Sequence, residues 1–126
     1  MNRTFVSLGG ALAFLAVAFG AFGAHALRER IGPESLQIWH TGVEYQMAHA
    51  LALILIGVLS AHVPDPRVKT SGWLIYFGVL IFSGSLYILA VSGIRWLGAI
   101  TPLGGACFLA GWALLVWTVA KAKPAV

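Results

Sequence analysis

The chain has 126 residues, of which 60% are hydrophobic and only 10% are charged, and its mean hydropathy is +0.89. A soluble domain is roughly 45–50% apolar and about 25% charged. A soluble fold and a disordered chain are therefore both excluded. The single cysteine excludes a disulfide framework and a cysteine-built metal site, and the length leaves room for one domain. This composition indicates one small integral membrane protein.

The charged residues divide the chain into four long uncharged stretches. They contain 24, 20, 25 and 25 residues and are bounded by Arg3 and Arg28, Glu44 and Asp65, Lys69 and Arg95, and Arg95 and Lys121. A helix crosses about 30 Å of hydrocarbon with roughly 20 residues, and it satisfies its own backbone polar groups in lipid. The sequence predicts an all-α antiparallel bundle of four transmembrane helices, at about 5–27, 44–63, 71–92 and 102–120.

The first stretch shares features with a signal peptide, since it has a basic start at Arg3 and a small-residue run, Ala24-His25-Ala26. Its apolar segment is longer than the 7–15 residues typical of such peptides. We therefore expect this segment to remain as the first transmembrane helix.

The distribution of Lys and Arg between the two sets of loops predicts the orientation. With four crossings, five basic residues share a side with both termini, and three lie on the other side. Basic residues are enriched in cytoplasmic loops, so both termini are predicted to be cytoplasmic. The net charge of +4 suits contact with anionic lipid head groups, and there is no basic stripe that indicates nucleic-acid binding.

Several residues are typical of helix starts. Pro33 suits the first position of a helix, and it begins a short helix that we expect to lie along the membrane surface between the first two crossings. Thr41 and Glu44 have the spacing of a capping box for the second crossing, although one bent helix over 33–63 is an alternative. Thr101 is the expected cap of the fourth crossing, with Pro102 in its first turn.

The first helix has two faces that differ in side-chain size. Helices associate in lipid through close approach over small residues. The small face is therefore expected to contact a neighbouring helix; it consists of Gly9, Ala13, Ala16, Gly20, Gly23 and Ala24. The bulky face is expected to contact lipid; it consists of Leu8, Leu12, Leu15, Phe19 and Phe22.

Polar side chains within the crossings are the candidate site residues. Counted from the flanking charges at about 1.5 Å per residue, several fall in the outer half of the bilayer. Polar and ionisable groups inside a membrane usually face the bundle interior and find partners there. We therefore expect one shared intramembrane cluster, formed by His25, Gln46, His49, Ser85, Tyr87 and Thr101.

This cluster has several alternative roles. It can be structural, with hydrogen bonds that set the rotation of the helices. It can be a pocket for a lipid head group, a quinone or another small ligand near the start of the fourth helix. His25 and His49 can also be axial ligands of a haem between helices, or the polar chain can move protons.

No phosphate-binding loop, nucleophile elbow or supported acid pair occurs in the sequence. We therefore expect no catalytic, cofactor-binding or metal-binding residues, and a non-enzymatic accessory or scaffold protein of a membrane assembly. Its expected partners are membrane lipids and either other membrane proteins or a second copy of itself. The alternative is a binding or transport module for a small ligand at the polar cluster.

Four motifs in order carry a family resemblance: GAFGAHAL at 20–27, WHTGVEYQMAHALAL at 39–53, FSGSLYIL at 82–89 and TPLGGACFLAGW at 101–112. With them the chain resembles the domain of unknown function 423 family, which includes YgdD-type bacterial proteins and transmembrane protein 256. The resemblance covers nearly the whole chain. It implies a four-helix protein of the bacterial inner (plasma) membrane and no established activity.

Overall fold

Four long helices form the protein, which a computed structural model describes over residues 1–123. The helices are α1 (Arg3–His25), α2 (Pro33–Leu59), α3 (Pro66–Ser92) and α4 (Thr101–Lys121). Short 3-10 turns at Leu27–Glu29 and Arg95–Ala99 precede α2 and α4, and the described residues contain no strand. Each long helix has the length and apolar composition to cross a membrane, which confirms the predicted all-α four-helix protein.

The ends of the helices follow from local sequence signals. The Asn2 side chain accepts a hydrogen bond from the backbone N–H of Phe5 at 3.1 Å and caps α1. Asp65 caps α3 in the same way, through the N–H of Arg67 at 2.9 Å. Gly93 ends α3 in the left-handed conformation, with φ of 70°, which glycine adopts without a steric penalty.

The segment from Pro33 to His40 is the beginning of α2, so the expected separate helix along the membrane surface is wrong. Pro33 is at the start of α2, as predicted. No helix-breaking residue interrupts the next turns, and the Thr41 hydroxyl bonds back to the carbonyl of Gln37 at 3.0 Å. Thr41 and Glu44 therefore lie inside a continuous helix, and neither is a cap.

Thr101 is the first residue of α4 and Pro102 lies in its first turn, so both mark the helix start as expected. The cap position belongs to Ile100, which has no side-chain hydrogen bond. The Thr101 hydroxyl lies 2.6 Å from that of Ser85. Thr101 therefore joins α4 to α3 and is not a cap.

Each helix packs against its neighbour in the chain, so that α2 and α3 form the centre and α1 and α4 flank them. Within residues 1–123, α1 and α4 do not pack against each other along their lengths, and neither do α2 and α4. The backbones of α3 and α4 approach each other closely at Gly104, where a Cβ atom would overlap the backbone of Phe82. The bundle is consequently open along one side, between α2 and α4 and over α3.

The two faces of α1 agree with the expectation only in part. Gly9, Ala16 and Gly23 are buried, and Gly9 lies against Ala50 and Ile54 of α2. Leu12 was expected to contact lipid but is buried, because a face wider than the small-residue stripe contacts α2 and α3. Phe19 also turns inward, and its ring packs edge-on against Tyr87.

Candidate functional site

Gln46 is the centre of a hydrogen-bond network that joins three helices. It is 3% exposed, and its Nε2 donates to the backbone carbonyl of Leu12 in α1 at 2.8 Å. Its Oε1 accepts a hydrogen bond from the Tyr87 hydroxyl of α3 at 2.7 Å. Both ends of the amide are therefore satisfied inside the bundle, which holds α1, α2 and α3 in one rotational arrangement.

Further polar contacts tie the helices near this network. The Ser83 hydroxyl donates to the carbonyl of Gly42 at 2.7 Å, and the Trp39 indole donates to the carbonyl of Phe19 at 2.8 Å. Ser85 pairs with Thr101 across the α3–α4 interface. All of these groups find protein partners, as a polar group without water requires.

His49 lies apart from the Gln46 network and faces α4. Its Nδ1 lies 2.8 Å from the carbonyl oxygen of Tyr45, and its Nε2 accepts a hydrogen bond from the indole of Trp112 at 3.0 Å. A carbonyl accepts and an indole N–H donates, so the hydrogen bonds assign a neutral ring with its proton on Nδ1. The ring stacks on Phe108 with centroids 3.7 Å apart.

A cavity of about 530 Å³ lies beside His49, in the open side of the bundle between α2 and α4. Four aromatic side chains line it together with His49: Tyr45, Phe82, Phe108 and Trp112. Leu109 at its edge is 74% exposed, so the cavity opens sideways toward the hydrocarbon. Its volume is within the range of binding sites for small molecules, and aromatic walls with few polar groups are typical of such sites.

The expected single cluster is divided by the fold into separate contacts. Gln46 meets Tyr87, and Ser85 meets Thr101. His49 lies on the face of α2 toward α4, where its ring nitrogens pair with Tyr45 and Trp112.

His25 does not belong to any of these contacts, and its inclusion in the cluster is wrong. It is exposed at the end of α1. Gly23 lies against Trp39 and His40, which places the end of α1 level with that part of α2. His49 is nine residues beyond His40, about 13 Å along the axis at 1.5 Å per residue.

The prediction for His25 is wrong because the charged residues that flank the helices do not lie at equal depth. Gly20 lies against Val43, so Val43, the residue next to Glu44, is level with a position eight residues before Arg28. Arg28 and Glu44, which bound the first and second stretches, are therefore at different heights, so depths counted from them cannot be compared between α1 and α2.

The same geometry does not fit a haem between His25 and His49. Axial ligation requires a free nitrogen on each imidazole at one height. Both nitrogens of His49 already have protein partners, and His25 lies beyond the reach of a ring held at His49. We derive no role for a haem in this protein.

The aromatic walls of the cavity were not among the predicted site residues, although they lie within the motifs that carry the family resemblance. Phe82, Phe108 and Trp112 look like ordinary apolar residues of a transmembrane helix. One signal was available for Trp112, because an indole N–H in an apolar segment generally needs a hydrogen-bond acceptor. The acceptor is on another helix, and its identity required the fold.

The fold and the site define a small multi-pass membrane protein whose four helices enclose a polar network and leave an aromatic cavity at one side. A family model described as "Protein of unknown function (DUF423)" matches residues 19–105. The chain belongs to this family.

Two bacterial relatives are similar to this chain over almost their whole length. The UPF0382 membrane protein YwdK of Bacillus subtilis is 48% identical over 120 residues, which cover 94% of this chain and 98% of the relative. A UPF0382 membrane protein of Staphylococcus haemolyticus is 46% identical over 119 residues, 94% of this chain and 97% of the relative. No solved structure matches the chain significantly.

Proposed function

We propose that this protein is a non-enzymatic binding component of a bacterial plasma membrane that holds a flat, lipid-soluble molecule between α2 and α4. The observation that carries the proposal is the cavity of about 530 Å³ beside His49. Its opening faces the side of the bundle, so that a molecule dissolved in the bilayer enters without crossing the protein. The relatives of the chain are bacterial membrane proteins, which supports the location.

The walls of the cavity favour a planar ring as the occupant. Phe108 and His49 are already stacked within 14° of parallel, and the Tyr45 ring is within 17° of the Phe108 ring. Aromatic rings prefer offset-stacked or edge-on neighbours. The Trp112 N–H already donates to His49 Nε2, which leaves the Tyr45 hydroxyl as a hydrogen-bond donor for an occupant. A quinone ring, which is flat, apolar and bears two carbonyl acceptors, has the complementary chemistry.

Binding of a short-chain benzoquinone to the purified protein in nanodiscs tests this proposal. We expect saturable quenching of tryptophan fluorescence. Ala106→Phe fills the cavity and should weaken binding at least tenfold. Ala110→Phe is the matched control, because Ala110 is exposed on α4 and does not line the cavity. Non-saturable quenching, or equal binding by both variants, would contradict the proposal.

The proposed orientation places both termini in the cytoplasm. Four antiparallel helices bring the N-terminus, the α2–α3 connection and the end of α4 to one end of the bundle, which carries five of the eight basic residues. A C-terminal green fluorescent protein fusion should be fluorescent and an alkaline phosphatase fusion inactive. An active phosphatase fusion would reverse the orientation.

The exposed face of α1 favours a second candidate, an accessory role in which a second copy packs against this helix. Four small residues on this face are exposed in the part of the chain that the structure describes; they are Gly10, Ala11, Ala18 and Ala21. Such residues allow close helix approach in lipid. In a Cys107→Ser background, Ala18→Cys should form disulfide-linked dimers in membranes, whereas Leu55→Cys on α2 should not. Equal cross-linking of both positions would refute this candidate.

A further inference from the structure

We propose a second binding site at the other end of the groove between α2 and α4, for one anionic phospholipid. Its phosphate would lie among basic side chains at the end of the bundle that holds Arg3 and Lys121, and one acyl chain would run along the groove toward Trp112. This site is separate from the cavity beside His49, and it does not depend on the function proposed for that cavity.

The end of the groove has an excess of positive charge. A cavity of about 310 Å³ is lined there by His62, Lys121 and Lys123. Within residues 1–123, the carboxylate in its wall is that of Asp65, which is held by the Arg67 guanidinium at 2.8 Å. Because that carboxylate is already paired, the two lysines remain available to a phosphate. Lysine is a common phosphate ligand, since it carries three donors and a concentrated charge.

An apolar cavity continues from this basic end into the membrane. It measures about 350 Å³ and has almost entirely apolar walls, among them Ala52, Leu55, Ile56 and Leu115. His62 lines both the basic and the apolar cavity, so the two are adjoining parts of one groove. Trp112 closes the far end of the apolar part and also forms a wall of the cavity beside His49.

The length of this part of the groove suits one acyl chain of one leaflet. Lys121 and Trp112 are nine residues apart in α4, which is about 13 Å along the helix at 1.5 Å per residue. Half of a hydrocarbon core of about 30 Å is about 15 Å. A lipid whose phosphate contacts Lys121 would therefore reach Trp112 with its chain.

The charge of the site selects the class of phospholipid. A zwitterionic head group adds a cation next to its phosphate, and that cation is repelled by the lysines. An anionic head group such as phosphatidylglycerol has no such cation. A basic residue near an anionic lipid contributes about 1 kcal/mol, which is about fivefold in affinity. Two lysines are therefore expected to contribute about 25-fold to the preference.

Native mass spectrometry of the detergent-solubilised protein tests this site. The probes are phosphatidylglycerol and phosphatidylcholine with identical chains, added in equal amounts. We expect a single phosphatidylglycerol to be retained preferentially, and the variant with Lys121→Gln and Lys123→Gln to bind it about 25-fold more weakly. Lys69→Gln is the matched control, because Lys69 is an exposed basic residue near the same end of the bundle that does not line the groove.

A second pair of variants tests the acyl-chain part. Leu55→Trp should obstruct the groove and weaken lipid retention, whereas Leu51→Trp should not, since both residues are exposed on α2 and only Leu55 lines the groove. Equal retention of the two lipids, or an equal loss in the Lys69→Gln control, would overturn the proposal. Displacement of the lipid by inorganic phosphate would indicate a site for the free anion and would also overturn the proposal. Unchanged lipid retention by a folded Leu55→Trp variant would overturn it as well.

Discussion

The indole N–H of Trp112 in α4 donates a hydrogen bond to Nε2 of His49 in α2, over a distance of 3.0 Å. The backbones of these two helices do not pack together along their lengths, so this contact spans the groove. It also holds the His49 ring against Phe108. The polar link therefore shapes the wall of the cavity as well as joining the helices.

Replacing Trp112 with Phe should destabilise the protein by about 1 kcal/mol, because His49 Nε2 loses its donor in an apolar environment. The free energy of unfolding in mixed detergent micelles measures the loss. Trp96→Phe is the control, since Trp96 is 66% exposed, and it should change stability by less than about 0.5 kcal/mol. Similar losses for both variants would show that the hydrogen bond to His49 is not the cause.

The Gln46–Tyr87 contact should behave as a coupled pair. Tyr87→Phe leaves Oε1 of Gln46 without its donor and should cost about 1 kcal/mol, and Gln46→Leu also removes the bond to Leu12 and should cost more. In a double-mutant cycle the combined loss should be smaller than the sum of the two. Additive losses, or an equal loss on Tyr76→Phe in the same helix, would argue against the network.

Two adjacent glycines of α1 should differ sharply in their tolerance of a methyl group. At Gly9 a Cβ atom would lie 2.7 Å from the carbonyl oxygen of Ala50, whereas at Gly10 nothing lies within 4 Å. Gly9→Ala should therefore separate α1 from α2 and cost about 2 kcal/mol. Gly10→Ala should be nearly neutral in the same unfolding measurement. A neutral Gly9→Ala variant would contradict this packing.

The Asp65–Arg67 pair should give the protein a small acid sensitivity. Hydrogen bonds from the side chain and backbone of Arg67 lower the pKa of Asp65 from its usual 3.8. A carboxyl whose pKa is lower in the folded state stabilises the fold above pH 3.8 and loses that contribution as the pH falls through the lowered value.

Asp65→Asn tests this prediction, because asparagine keeps the oxygen that caps α3 and cannot titrate. Thermal unfolding of the variant should depend less on acidic pH than that of the wild type. An unaltered pH profile for Asp65→Asn would assign the acid sensitivity to another group.

The boundaries of the helices could be predicted where a residue acts on its own segment. Pro33 and Pro102 each mark a helix start that the structure retains. The prediction failed at Thr41 because capping depends on the chain before the residue being non-helical. No residue shortly before Thr41 forces the chain out of the helical conformation.

The candidate site was predictable only as a list of residue types. Gln46, Tyr87 and His49 were singled out because a polar group in lipid needs a partner. Their partners include the carbonyls of Leu12 and Tyr45. Every residue carries such a carbonyl, so no residue type identifies which one is used.

The sequence by itself determined that this is a membrane protein of four helices, because the length and apolarity needed to cross a bilayer are properties of each segment alone. The tertiary structure decided the relative heights and rotations of those helices. Gly20 against Val43 sets the height of α1 on α2, and that contact separates His25 from His49. Heights and rotations depend on contacts between residues far apart in the chain. Because these contacts join α1 to α2, α2 to α3 and α3 to α4, the groove between α2 and α4 stays open.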